Sequence, residues 1–381
     1  MQIDAKKIKN DEFYTQFHDI EKEINAYLDF KPDVFREKTV LLPCDDPEWS
    51  NFTKYFAQNF ERLGLKKLIS TSYAPNSKPK ELNLQPTLFE LESPQFDQEK
   101  TASNGKIFTL ERDKTGDGVI NVDDLEWQYL QGDGDFRSPE ITALRDEADV
   151  IITNPPFSLF REFLAWIVEA DKLFAVIGNK NAITYKEVFP LIQRNEMWLG
   201  SMPMSVDLLF RIPPAMAKAL EDKGGEGSAW KRIDGEILGR ASAVWFTNID
   251  HGRRHQKLPL MSLEDNLKFS KHKELRGIGY STYDNYDAIE VPFTDAIPND
   301  FDGVMGVPIS FLDKYNPEQF QIVGLSRYTE TQGMSKEFVD AYYASGQTGQ
   351  ISEGHPDLCF YDKNGKPVVP YMIILITPGR G

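Results

Sequence analysis

The chain has 381 residues, 40% of them hydrophobic and 12% aromatic, with a net charge of −16. That length admits one large α/β domain carrying insertions or two domains, and the apolar content excludes wholesale disorder. No run approaches the roughly 18 apolar residues of a membrane span, and the amino terminus opens on the charged MQIDAKKIKNDEF. Cys44 and Cys359 alone are too few for a disulfide framework or a cysteine zinc site, so a cytoplasmic protein with no membrane partner is expected.

In chain order, Phe17, Ile20, Ile24 and Leu28 recur at helical spacing and predict an amphipathic helix over 16–29. TVLLP (39–43) reads as a buried strand. Ser50 or Asn51 then caps a helix whose face carries Phe52, Tyr55, Phe56, Phe60 and Leu63 and which ends at Gly64. KKLIS (66–70) follows as a second strand, completing a βαβ unit of a parallel sheet.

Residues 74–126 break this alternation. Rich in Pro, Ser, Asn, Asp and Gly, with β-like runs TLFEL and KIFTL, they read as an insertion. Inside it DKTGDGVINVDD (113–124) approaches a calcium loop, but Asp124 stands where Glu is usual and KIFTLER before it reads as a strand. A hairpin loop with Asx and glycine turns is the expected form, and no metal is assigned.

Ser138 and Pro139 open another helix, and ADVIIT (148–153) has the unpatterned character of a strand buried on both faces. After Asn154-Pro155-Pro156-Phe157, a helix (158–170), a strand (173–177) and a helix (184–194) resume the alternation. The expected fold is α/β, a doubly wound, mostly parallel sheet over 1–250 with a β-rich insertion, followed by an irregular region over 251–381.

The acidic balance argues against a nucleic-acid partner only if charge is uniform. From His251 to Arg276 the chain carries Arg253, Arg254, Lys257, Lys268, Lys271, Lys273 and Arg276 against three acidic residues, a local basic segment.

Asn154-Pro155-Pro156-Phe157 follows a buried strand directly, at the carboxyl end where α/β sheets bind ligands. As a bare tetrapeptide, Asn-Pro-Pro equally marks a turn. Its chemical reading is activation of a weakly nucleophilic amino group on a nucleobase. The Asn154 side-chain oxygen and the Pro155 carbonyl accept the two amino hydrogens, the prolines hold the loop rigid, and Phe157 stacks on the base. A base inside a duplex must be flipped out to reach such a pocket.

With these segments in view, the sequence resembles the EcoRI-type family of adenine-specific DNA methyltransferases over most of its length. The resemblance is carried by NDEFYTQF, NPPF, HGRRHQKLPLMSLEDN and FDGVMGVPISFLDKYNPEQFQIVG. It implies S-adenosyl-L-methionine as cofactor and double-stranded DNA as partner, and the charge clustering of the basic segment then sets Arg253, Arg254, Lys257, Lys271 and Lys273 toward DNA phosphates. It also allows a separately acting restriction endonuclease, and a monomer is expected. Tyr14 and Thr15 match the Tyr-Thr segment that approaches the methionine end of the cofactor. Most methyltransferases carry a glycine-containing loop after the first strand; here PCDDPEWSNF stands in its place, so Cys44, Asp45 and Asp46 are carried over as the cofactor loop. Thr71 and Ser72 stand where an acidic ribose ligand is usual. QGDGDF (131–136) resembles the segment holding the cofactor's adenine, with Asp135 accepting from its amino group and Phe136 against the ring.

Glutamine methyltransferases also use an Asn-Pro-Pro-aromatic turn, but carry a glycine-rich cofactor loop that this chain lacks. Cytosine amino-methyltransferases usually begin the tetrapeptide with Ser. A catalytically inactive DNA-binding relative is the alternative from another class.

Overall fold

The computed structural model describes residues 14–45, 50–74, 96–212, 214–227 and 229–379. They fall into two compact units, Met1–Ile183 with Met197–His251, and Thr184–Glu196 with Gly252–Gly381.

The first unit opens with a two-residue strand, β1 (Tyr14–Thr15), and the helix Phe17–Phe30, which buries Ile20, Glu23, Ile24 and Tyr27 at spacings of three and four. β2 (Thr39–Leu42) is buried at every position. The next helix starts at Asn51, capped as expected by Ser50 accepting from the Phe52 N–H, but Asn59 interrupts it before the short helix Phe60–Leu63. Gly64 ends it in the left-handed conformation (φ 65°), where a side chain would be strained. β3 (Lys67–Ser72) runs two residues beyond the expected strand.

The insertion has two parts. TLFEL lies outside the described residues. KIFTL forms β4 (Lys106–Leu110), which pairs antiparallel with β3 and with β5 (Glu126–Tyr129), so this part widens the main sheet instead of standing apart from it. The loop 113–124 joins the two strands of this hairpin. Asp113 accepts from the N–H groups of Gly116 (2.6 Å) and Gly118 (2.8 Å), and Asp124 from those of Lys114, Thr115 and Asn121. Those bonds hold the Asp124 carboxyl down at about 2.

Ser138 caps the helix Pro139–Glu147 by accepting from Ile141, with proline in the first turn as predicted. β6 (Val150–Thr153) is fully buried, and the helix Phe160–Glu169 leads to β7 (Leu173–Asn179). β8 (Trp198–Leu199), β9 (Leu208–Arg211), β10 (Trp230–Ile233), β11 (Glu236–Ala241) and β12 (Ala243–Thr247) complete the unit. The main sheet has the order β5-β4-β3-β2-β6-β7-β12-β8, and its four central strands are parallel. A second sheet, β1-β9-β11-β10, is antiparallel throughout and has no period-two signal at β1 to announce it.

Two expectations need correction. The segment 184–196, including the helix Phe189–Gln193, belongs with the second unit and not with the parallel alternation. Nor is the second unit irregular: β13 (Ile289–Glu290), β14 (Met305–Pro308), β15 (Phe320–Leu325) and β18 (Ile373–Pro378) form a sheet in the order β13-β14-β18-β15. β16 (Phe360–Tyr361) and β17 (Pro367–Val368) form a separate ribbon. Short strands separated by long turns gave no readable period, although β18 buries Ile373, Ile374, Leu375 and Ile376 in succession. Among the described residues no helix is long and apolar enough to cross a membrane.

Candidate active site at the ends of β2 and β6

β2 lies between β3 and β6, so the chain adds strands first on one side of β2 and later on the other. The crevice outside the carboxyl ends of β2 and β6 is therefore the topological switch point, where open α/β sheets bind ligands. The loop Pro43–Asp45 leaves one strand, and Asn154–Phe157 leaves its neighbour.

Asp45 ties this region together. It is 4% exposed. One carboxylate oxygen accepts from the Ser50 hydroxyl at 2.7 Å and the other from the Thr153 hydroxyl at 2.6 Å. Its N–H donates to the Thr71 carbonyl at 3.1 Å, and its carbonyl accepts from the Ser70 hydroxyl. The ends of β2, β3 and β6 and the start of the helix Asn51–Gln58 thus meet at one side chain. Beside it, burial and then the Asp45 charge push the Cys44 thiol well above its ordinary range, leaving a neutral thiol. Asp46 lies outside the described residues.

Tyr14 and Thr15 reach the same loop through long-range pairing. β1 is hydrogen-bonded in register with β9, Tyr14 opposite Arg211 and Thr15 opposite Phe210. The Asn51 amide donates to the Thr15 carbonyl at 2.8 Å, at the first residue of the helix after the Asp45 loop. The Thr15 hydroxyl is buried and has no hydrogen-bond partner among the described residues. A buried hydroxyl in that state is costly unless a ligand satisfies it, so the residues here fit a polar cofactor.

QGDGDF runs against the end of β3. Gly134 has φ 87°, and a Cβ on it would come within 2.2 Å of the Ser72 carbonyl oxygen, so only glycine permits the approach. The Ala74 N–H donates to the Asp133 carbonyl at 2.7 Å. Thr71 and Ser72 are buried, the Thr71 hydroxyl donating to the Pro43 carbonyl and the Ser72 hydroxyl accepting from the Lys106 N–H. They serve the sheet, and no ribose ligand is assigned to them.

Asp135 and Phe136 both have partners within the chain. The Asp135 carboxylate accepts from the Arg137 Nε (2.9 Å), Nη2 (2.6 Å) and N–H (2.8 Å), which holds its carboxyl below the usual range. Phe136 is 5% exposed and meets Phe163 and Trp166 edge-on at 5.0 and 5.6 Å.

In the tetrapeptide, Pro155 is buried and Asn154, Pro156 and Phe157 are partly so, with the Asn154 side-chain oxygen shielded from solvent. The Leu159 N–H donates to the Pro156 carbonyl at 2.9 Å, closing a tight turn that begins the next helix. Phe157 packs partly on the unit's apolar core. Past β7, Lys180 (2.7 Å) and Arg240 (2.5 Å) both bind Asp207; burial alone would raise its carboxyl, but the two cations outweigh it.

The basic segment splits in the second unit. Arg254 departs from the expectation of a phosphate contact: it is 6% exposed and its guanidinium donates to the Asn195 side chain. Arg253 pairs with Asp313 at 3.2 Å. Lys271 is exposed and pairs with Asp295 at 2.7 Å, while Lys257 and Lys273 are exposed without an ion pair among the described residues. A count of charges along a sequence does not distinguish cations that face inward from those that face water.

A mostly parallel sheet with the Asp45 loop and Asn-Pro-Pro-Phe side by side at its switch point has the α/β fold of the S-adenosylmethionine-dependent methyltransferase type. The family model described as adenine-specific methyltransferase EcoRI matches residues 2–377. The type II methyltransferase M.EcoRI of Escherichia coli is 41% identical over 334 residues, covering 87% of this chain and 90% of its own. The type II methyltransferase M.MpnI of Mycoplasma pneumoniae is 32% identical over 320 residues, covering 84% and 83%. No solved structure matches the chain. The chain belongs to the EcoRI family of adenine-specific methyltransferases and is a DNA methyltransferase.

Proposed function

We propose that the enzyme methylates the exocyclic amino group of an adenine turned out of double-stranded DNA, with S-adenosylmethionine as donor. The observation that carries this reading is the Asn154–Phe157 turn standing beside the Asp45 loop, the two joined by the bond from Thr153 to Asp45. S-adenosylmethionine supplies an electrophilic methyl on a cationic sulfur. Tyr14, Thr15, Cys44, Asp45, Asp46, Asp135 and Phe136 are the residues that would hold it, and the buried Thr15 hydroxyl supports that assignment. Asp45 acts in this reading as a positioning residue: its charge is buried and fixed by two hydroxyls while it anchors both loops.

On the target side, the Asn154 side-chain oxygen and the Pro155 carbonyl accept the amino hydrogens. Electron density then concentrates on the nitrogen as it attacks. Pro155 and Pro156 keep these acceptors from rotating away, and Phe157 offers a face to the base. The first unit is the catalytic domain and the second unit contributes DNA recognition, with Lys257, Lys271 and Lys273 as phosphate contacts. Sequencing genomic DNA from cells expressing the protein, with detection of N6-methyladenine, tests the reading. Modified adenine at one recurring sequence is expected. Methylated cytosine, or unmodified DNA beside a methylated protein glutamine, would overturn it.

A further inference from the structure

In the second unit an apolar side chain stands where burial does not explain it. Phe269, the last residue of the helix Leu263–Phe269, is 69% exposed, and Ile278 is 45% exposed. The backbone beneath them is rigidly held. Asn266 is 0%, Ser270 2% and Leu275 1% exposed. The Ser270 N–H donates to the Asn266 carbonyl at 3.1 Å, and the Gly277 N–H returns to the Leu267 carbonyl at 2.8 Å, with Gly277 and Gly279 at positive φ. His272 stacks on Phe293 with ring centroids 3.6 Å apart and the planes 4° from parallel, and its Nε2 meets Asp295 at 2.8 Å. These bonds and buried side chains hold the backbone of a tip that presents the Phe269 ring to solvent.

Charges of both signs surround this tip. Glu264, Asp265 and Asp300 lie at the helix start, where the Leu263 N–H donates to Asp300. Lys268, Lys271, Lys273 and Arg276 follow at the end that carries Phe269. Lys268 pairs with Glu264 and Lys271 with Asp295, and Glu274 is exposed nearby; Lys273 and Arg276 are exposed without an ion pair among the described residues. An exposed ring on a hydrogen-bonded tip that also carries two cations without ion pairs among the described residues matches the base stack and phosphates of duplex DNA, because an inserted ring gains contact with base faces while cations hold the backbone.

We propose that Phe269 is a wedge residue that enters the base stack of bound DNA, flanked by Lys273 and Arg276 on the phosphates. This rests on the reading of the chain as an enzyme acting on duplex DNA. Insertion of a ring unwinds the duplex. The test is therefore relaxation of a closed, unmethylated plasmid by topoisomerase in the presence of the full chain, with binding and methyl transfer measured on the same plasmid.

The parent should lower the linking number. Phe269→Ala should reduce that unwinding per bound protein and weaken binding on the order of ten-fold, with an unchanged melting midpoint, and Phe269→Trp should restore both. The pair Lys273→Ala and Arg276→Ala should instead reduce the salt slope by about two and keep the unwinding of each bound molecule. Phe269→Ala that unwinds like the parent overturns the wedge. So does a parent that is dimeric in solution and a variant that is monomeric, since the tip would then join two copies of the chain. A parent that neither binds nor methylates the plasmid removes the DNA reading itself.

Discussion

Thr153, the last residue of β6, donates its hydroxyl to Asp45 beyond β2 at 2.6 Å, although 108 residues separate the two in sequence. Asn154 follows Thr153 directly, so whatever fixes Asp45 also fixes where the tetrapeptide begins. Thr153→Val keeps the side-chain shape and removes the donor; it should cost about 1–2 kcal/mol of stability and weaken S-adenosylmethionine binding. Asp45→Ala leaves the Ser50 and Thr153 hydroxyls buried without this acceptor and should cost more, about 2–4 kcal/mol. Urea unfolding together with calorimetric cofactor titration measures both. Parent-like midpoints and affinities would show that the bond is incidental.

The basic segment supplies a second contrast. Arg254 is buried and its guanidinium donates to Asn195, so Arg254→Ala should lower the melting temperature by removing a packed, hydrogen-bonded cation, at about 1–3 kcal/mol. Replacing Lys257, Lys271 and Lys273 together by Ala should leave the midpoint nearly unchanged and lower the salt slope of DNA binding by about three. Thermal melts and a salt titration of binding separate the two classes; a salt slope that falls with Arg254→Ala in a fully stable protein would reverse the assignment.

The parts of the molecule legible in its sequence are those whose signal is local. Ser50, Gly64, Ser138 and Pro139 mark helix ends through their own chemistry, and each stands at the end it announces. β2 and β6 are apolar without alternation because a central parallel strand is buried on both faces. What depends on partners distant in the chain was not legible. Nothing in Tyr14-Thr15 points to Leu208–Arg211, yet that pairing brings Thr15 to Asn51. Buried Arg254 donates to Asn195, which lies in a segment that reads like part of the parallel alternation. At the candidate site, the tetrapeptide was visible as a motif and its tie to Asp45 was not, because Ser50 and Thr153 are unremarkable residues until the fold brings them to one carboxylate.

Glu290 gives a pH dependence of definite sign. Burial raises its carboxyl from 4.5 to about 7, and the Tyr283 hydroxyl donates to it. The folded state keeps the proton up to about pH 7 while the unfolded chain releases it near 4.5, so raising pH through that window favours unfolding. Glu290→Gln keeps an acceptor for Tyr283 and removes the charge. It should be close to neutral for stability at about pH 5 and stabilising at about pH 8, by about 2–3 kcal/mol. Chemical denaturation at the two pH values reads the difference directly. An equal effect at both would mean that Glu290 does not titrate in this interval.

Asn154 carries the last prediction. If its side-chain oxygen accepts from the adenine amino group chiefly as the methyl transfers, its loss should appear in the turnover rate and not in ground-state binding. Asn154→Ala should therefore bind S-adenosylmethionine and DNA close to parent affinity and transfer methyl groups on the order of a hundred- to a thousand-fold more slowly, about 3–4 kcal/mol, by comparison with single pre-organised hydrogen-bonding groups in other active sites. Phe157→Ala should behave differently. The ring packs partly on the core and would meet the flipped base in both ground and transition states, so its removal should weaken target binding as well as slow transfer. Single-turnover assays with tritiated cofactor and an adenine-containing duplex, beside equilibrium binding of each ligand, separate the two patterns. A folded Asn154→Ala enzyme that transfers methyl groups at the parent rate would reduce the tetrapeptide to a turn after β6 and remove the assignment of catalysis to this crevice.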